Sequence, residues 1–132
     1  MTINTIYCFP VTITYAWTID RLYTKDITEG GKTYTDVILR VNATLKGTSE
    51  TIDSINGQGT FDLDMNVSGL AENFTAYDSV TEANVVSWVE GKIDTETMAH
   101  CKAEIENHIA FEENVHGSSA KEDSEGNATF PW

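Results

Sequence analysis

Basic residues are scarce in this sequence. The 132 residues include 8 Lys and Arg against 21 Asp and Glu, which gives a formal net charge of −13 at pH 7. A surface with this charge repels both the phosphates of nucleic acids and anionic membranes. We therefore expect neither nucleic acid nor a membrane among the partners of the protein.

Cysteine is also scarce, and no long apolar run is present. Cys8 and Cys101 lie far apart, and no Lys or Arg precedes Arg21, so the basic-then-apolar layout of a secretory signal is missing. Two free thiols and assembly inside a cell are the expectation. The uncharged stretch TIYCFPVTITYAWTI contains Pro10 and four threonines, which excludes it as a membrane span.

Alternation of apolar and polar residues predicts an antiparallel β-sheet. The runs VTITYAWTID (11–20), DVILRVNATLKG (36–47) and GTFDLDMNVSG (59–69) place apolar side chains at every second position. In the second run the predicted inner residues are Val37, Leu39, Val41, Ala43 and Leu45. Gly30-Gly31 predicts a hairpin turn. A shorter fourth strand is predicted around Thr51 to Ile55, followed by a turn at Asn56-Gly57.

Two helices in the second half are predicted to cover one face of this sheet. The segment SVTEANVVSWVEGK (79–92) opens with a capping-box spacing from Ser79 to Glu82 and is predicted to end at Gly91. The next helix, capped by Asp94 or Thr95, carries an apolar stripe. The stripe consists of Met98, Cys101, Ile105 and Ile109. The predicted class is α+β, with an antiparallel sheet of about four strands and two C-terminal helices packed on one face.

The composition changes on either side of residues 11–115, which we interpret as a single domain. Residues 1–10 are dense in apolar and aromatic side chains and are predicted to form an N-terminal arm. Residues 116–132 consist mainly of Gly, Ser and charged residues, which predicts a flexible, extended acidic tail.

The last three residues of this tail, Phe130, Pro131 and Trp132, are predicted to bind a partner. Two large aromatic side chains at the end of a soluble tail favour burial against another surface. One alternative is that they fold back onto their own domain. The other, which we favour, is an anchor that inserts into a pocket of a neighbouring polypeptide.

Two patterns suggest metal binding but lack its requirements. Residues 62–66 resemble the start of a calcium loop, but Val67 occupies the position that requires glycine. His100, Glu104 and His108 follow helical spacing, but His100 and Glu104 lie opposite the apolar stripe and so face solvent. No serine stands in a strand–turn–helix elbow, and no glycine-rich loop has phosphate-binding spacing. We expect no metal, no cofactor and no enzymatic activity.

Three stretches, and the predicted helix that follows the second of them, together resemble a known family. Tyr15, Trp17 and Ile19 match its leading strand, residues 74–89 match a block Phe-x-x-Tyr-x-x-Leu/Val-Thr-Glu-x-x-Val-x-x-Trp-Val, and Pro131-Trp132 matches its closing pair. The family comprises small virion-associated structural proteins of marine tailed bacteriophages, notably those that infect cyanobacteria. The resemblance covers about residues 11 to 110 and the last two residues, and residues 1–10 depart from it.

The resemblance implies a non-enzymatic virion structural protein, foremost a capsid decoration or accessory protein of the cement or knob type that docks to the shell. The expected partners are phage capsid or tail structural proteins, with a homo-oligomer as a further option. The expected location is the virion, after assembly in the host cytoplasm. The alternatives are a tail adaptor or fibre-attachment subunit, or a small acidic intracellular factor directed at the host.

Overall fold

The structure of the chain is a computed structural model that describes residues 11–132. It contains a three-stranded antiparallel sheet of order β1-β2-β3, followed by three helices. The elements are β1 (Ile13–Glu29), β2 (Lys32–Ser49), β3 (Asn56–Asp64), α1 (Leu70–Asn73), α2 (Glu82–Lys92) and α3 (Thr95–Val115). The predicted α+β class is confirmed. The N-terminal arm predicted for residues 1–10 lies outside the described residues.

The predicted turn at Gly30-Gly31 joins β1 to β2. Both glycines have positive φ, 63° at Gly30 and 79° at Gly31. Two consecutive left-handed residues form the turn whose twist matches that of an antiparallel hairpin, and glycine adopts this conformation without strain. The turn therefore sets the register of a long hairpin, in which Trp17 pairs with Leu45.

The ladder between β1 and β2 shifts register at three places. Asp20 in β1 and Leu39 in β2 each stand opposite no residue of the neighbouring strand, as expected of β-bulges. A bulge reverses the face on which the following side chains lie. As a result Ile38 packs against the cluster of Val41, whereas Leu39 belongs to none of the core clusters. The predicted inner position of Leu39 is wrong.

The fourth strand predicted around Thr51 to Ile55 is also wrong, because residues 50–54 form a tight turn. The Ser49 hydroxyl oxygen accepts hydrogen bonds from the backbone N–H groups of Thr51 at 3.1 Å and Ile52 at 3.0 Å. A side chain that satisfies the backbone in this way competes with strand pairing. Asn56-Gly57, predicted as a turn, instead begins β3.

Helix α2 is capped by Thr81, two residues later than the predicted cap at Ser79. Thr81 Oγ1 accepts a hydrogen bond from the Asn84 N–H at 3.1 Å, and Asn84 Oδ1 accepts one from the Thr81 N–H at 3.0 Å. This reciprocal pair is a capping box. The helix continues past Gly91 and ends at Lys92.

Helix α3 begins as predicted after Asp94, whose carboxylate accepts a hydrogen bond from the Thr97 N–H at 2.7 Å. Its apolar stripe packs on the sheet, which confirms the predicted stripe. Glycines on the strands beneath allow this close approach. A Cβ atom added at Gly47 would lie 2.7 Å from Ile105 Cγ2, and one at Gly59 would overlap the Cys101 sulfur.

The core lies between the sheet and the two longer helices. Val85 and Val89 of α2 pack on Val41 and Ala43 of β2, and Ile109 of α3 belongs to the cluster around Leu45. Both helices therefore cover the same face of the sheet, as predicted. A third cluster, near the hairpin turn, consists of Tyr34, Val37 and Leu70. Across residues 11–132, every helix is too short or too polar to span a bilayer.

Candidate partner-binding site

The three residues predicted to bind a partner, Phe130, Pro131 and Trp132, are called here the aromatic tip. The side chains of Phe130 and Trp132 are 63% and 93% exposed. Their rings stack on each other, with centroids 5.0 Å apart and an angle of 16° between the planes. Folding back onto the sheet is therefore not the arrangement in this structure. An exposed apolar pair of this kind is typical of an interaction site, and its binding to a partner stays a prediction.

A small hairpin in the tail precedes the aromatic tip. The Thr129 N–H donates to the Lys121 carbonyl at 2.9 Å, and the Asp123 N–H donates to the Asn127 carbonyl at 2.9 Å. Gly126, with φ of 85°, supplies the left-handed residue that the turn requires. The tail is thus shorter than a fully extended chain, and the aromatic tip lies next to the closed base of the hairpin.

The side chain of Asp123 closes this turn. Its Oδ1 accepts hydrogen bonds from the N–H groups of Asn127 at 3.0 Å and Glu125 at 2.8 Å. These bonds favour the ionised carboxylate and hold the pKa of Asp123 below its usual range. Composition alone did not predict this local order. An aspartate three residues before a glycine is typical of such a turn and is the signal that was available.

The tail leaves the domain at the end of the sheet opposite the Gly30-Gly31 turn. Near the end of α3, Glu113 accepts a hydrogen bond from the hydroxyl of Ser49, the last residue of β2. Ser49 is only 1% exposed, although it is polar. This contact ties the last turns of α3 to the sheet and fixes the point from which the tail starts.

An apolar groove of about 330 Å³ lies between β2, α1 and α2. Its apolar lining includes Ile38, Met65, Leu70, Phe74 and Trp88. Among the described residues that line it, Lys92 alone is charged. Gly91 also lines the groove, and a Cβ atom added there would meet nothing within 4 Å. Sequence reasoning missed the apolar groove, because its residues come from separate segments that only the fold brings together.

The two patterns considered for metal binding lie on exposed surfaces. His100 Nε2 is 2.7 Å from Glu104 Oε1, with side-chain exposures of 77% and 68%. On the open face of β3, Asp64 Oδ1 accepts a hydrogen bond from Arg40 Nε at 2.7 Å. Within the part of the chain that the structure describes, no three His, Cys, Asp or Glu side chains are grouped in a way that would hold a metal ion.

Two titratable groups lie beneath α3, the thiol of Cys101 and the phenol of Tyr15. Burial raises the pKa of both groups, and nearby Glu104 raises that of Cys101 further. A raised pKa keeps the Cys101 thiol protonated at neutral pH. Because the thiolate is the nucleophilic form, Cys101 is suited to packing against Gly59 rather than to covalent chemistry.

Residues 12–132 match the model of a family described as a domain of unknown function (DUF7936). No curated protein and no solved structure matches the chain.

Proposed function

We propose that this chain, which belongs to the DUF7936 family, is a non-enzymatic structural protein of a phage virion, foremost a decoration or accessory protein on the capsid surface. The observation that supports the proposal most directly is the aromatic tip, in which Phe130 and Trp132 are stacked and exposed. The resemblance to small virion-associated phage proteins supports the assignment to a particle.

The aromatic tip has the chemistry of a short anchor. Burial of two aromatic side chains contributes roughly 3–6 kcal/mol, offset in part by the ordering of the tail. The stack between Phe130 and Trp132 and the hairpin before it already restrict the tail, which lowers that ordering cost. One such contact is weak. Copies arranged symmetrically on one particle would act together, because linked contacts add avidity.

The negative charge of the protein favours apolar, short-range contacts over long-range electrostatic attraction between copies. With a net charge of −13, two copies repel each other at long range, and salt screens this repulsion over about 8–10 Å. Contacts that hold copies on a surface must therefore act at short range. The aromatic tip acts at short range, whereas the acidic surface keeps the unassembled protein soluble.

The test is incorporation into particles. A double variant, Phe130→Ala with Trp132→Ala, is compared with Phe111→Ala, which removes an aromatic side chain from α3 that is 51% exposed. Quantitative mass spectrometry of purified particles then measures the copies of each protein. We expect both variants to fold, and the tip variant to be depleted by about tenfold or more, whereas the control is incorporated normally.

Two results would count against the proposal. Normal incorporation of the tip variant would remove the anchor role, and absence of the wild-type protein from particles would remove the virion role. A cryo-electron-microscopy map of the particle would then separate a position on the capsid from a position in the tail.

A further inference from the structure

We propose that the aromatic tip of one copy docks into the apolar groove of a second copy of this chain. The inference rests on the proposed function only in taking the aromatic tip as a contact site, and it deepens that function by naming the partner. The tip would then contact the walls of the groove between β2, α1 and α2.

The groove and the tip match in size and chemistry. A volume of about 330 Å³ is in the range of cavities that hold small ligands. The rings of Phe74 and Trp88 offer aromatic partners to an incoming indole or phenyl ring. The ammonium group of Lys92 offers a cation to the face of either ring.

Charge favours the same pairing. The hairpin before the aromatic tip carries Glu122, Asp123 and Glu125 against a single base, Lys121. The described lining of the groove contains no acid, although the whole chain has 21 acids to 8 bases. An acidic hairpin whose tip enters this groove would therefore lie next to Lys92, and the nearby Glu29 carboxylate is already bound to the N–H groups of Gly69 and Leu70.

The exposed position of the tip and the length of the tail favour another copy over its own: Trp132 is 93% exposed and does not line the groove of its own chain. The tail starts near Ser49, and Ile38 in the groove lies eleven residues away along β2, or about 36 Å at 3.3 Å per residue. The Ser118 N–H donates to the Val115 carbonyl at 2.8 Å, so a turn spanning at most about 7 Å opens the tail. With this turn and the hairpin closed, the tail adds about 10 Å to Lys121, about 5 Å across the hairpin base and about 10 Å from Thr129 to Trp132. Its reach is therefore about 32 Å, short of Ile38.

A contact of this kind is heterologous, because the tip of each copy meets a different surface on the next copy. Repetition of such a contact gives a ring if the rotation closes and an open chain if it does not. The area involved is small, so free copies in solution are expected to associate only weakly. On a particle, this contact would link neighbouring copies to one another.

The test uses two variants that each break one half of the contact. Trp132→Ala removes the largest ring of the tip, and Gly91→Glu places a carboxylate at the groove from an open position on α2. Gly91→Ala is the matched control, since it changes the same residue without the charge. By sedimentation velocity over a concentration series, we expect wild type and Gly91→Ala to self-associate, and the other two to do so at least about tenfold more weakly.

Mixing the two defective variants gives the decisive measurement. Gly91→Glu keeps a working tip and Trp132→Ala keeps a working groove, so their mixture is expected to form a one-to-one complex that neither forms alone. The proposal is overturned if the mixture stays monomeric while wild type associates. It is also overturned if wild type is monomeric throughout, or if Trp132→Ala associates like wild type.

The docking between copies and the proposed virion role can fail independently of each other. A wild-type protein that associates through the groove but is absent from particles would keep the docking and lose the proposed function. A protein present in particles but monomeric in solution at every concentration would keep the proposed function and lose the docking.

Discussion

Replacement of Gly47 by alanine gives a direct test of how α3 packs on the sheet. Gly47 lies in the middle strand, where it pairs with Tyr15 of β1 and Gly57 of β3. An added Cβ atom would lie 2.7 Å from Ile105 Cγ2 and 2.9 Å from Ile13 Cγ2. Both distances are well inside normal van der Waals contact, and Ile105 is 3% exposed, so it has little room to move.

The magnitude follows from two opposing effects. Insertion of one methyl group into a packed core costs about 1–3 kcal/mol. Alanine also reduces the conformational entropy of the unfolded chain relative to glycine, which stabilises the folded state by about 0.4–1 kcal/mol. We therefore expect Gly47→Ala to lower the free energy of unfolding by about 1–2 kcal/mol.

Urea unfolding followed by tryptophan fluorescence measures this difference. Gly91→Ala is the control, because its Cβ atom meets open space and alanine favours a helix by about 0.5–1 kcal/mol, so this variant should be more stable than wild type. In an Ile105→Ala background the cost of Gly47→Ala should shrink by about 0.5 kcal/mol or more, since the clashing methyl is gone. A Gly47→Ala protein as stable as wild type, or a zero coupling with Ile105→Ala, would refute the packing of α3 described above.

Two further predictions concern the ends of the sheet and the tail. Ser49→Ala removes the acceptor of two backbone N–H groups and the donor to Glu113. We therefore expect the free energy of unfolding in urea to fall by about 1–3 kcal/mol, and amide exchange in the last turns of α3 to become faster. Unchanged exchange there would contradict the role given to Ser49. The closed hairpin lowers the pKa of Asp123 below that of the unfolded chain, which is about 3.9. The Asp123 carboxylate therefore stabilises the hairpin fully above the unfolded pKa. This stabilisation is lost as the pH falls through the lower pKa of the folded state. The amide chemical shifts of Glu125 and Asn127 should follow this transition, and an Asp123→Asn variant that showed the same transition would exclude Asp123 as its source.

Alternation was sufficient to predict the faces of the strands wherever the ladder is regular. Val41 and Leu45 share the buried face because every second residue of a strand points the same way. The prediction that Leu39 faces the core was wrong because a bulge depends on how two distant strands align, and no local pattern contains that information. Residues 51–55 contain apolar side chains that fit a strand, but the hydroxyl of Ser49 stabilises a turn in their place.

The two halves of the proposed contact differ in how visible they are in the sequence. The aromatic tip stands out because Phe130 and Trp132 follow a polar, acidic stretch. The apolar groove cannot be recognised in the sequence, because Leu70, Phe74 and Trp88 each have the pattern of ordinary core residues in their own segments. A groove exists only where packing leaves space between elements, and that is a property of the tertiary structure.

The irregular outer edge of β1 has a consequence for how the protein tolerates crowding. Long, regular edge strands are templates for cross-β growth, in which each added chain pairs with the exposed backbone of the last one. In β1, Asp20 and Asp26 stand outside the regular pairing, so the edge is bent at both positions. An incoming strand would meet misaligned donors and acceptors there. High local concentration should therefore not lead to fibril growth from this edge.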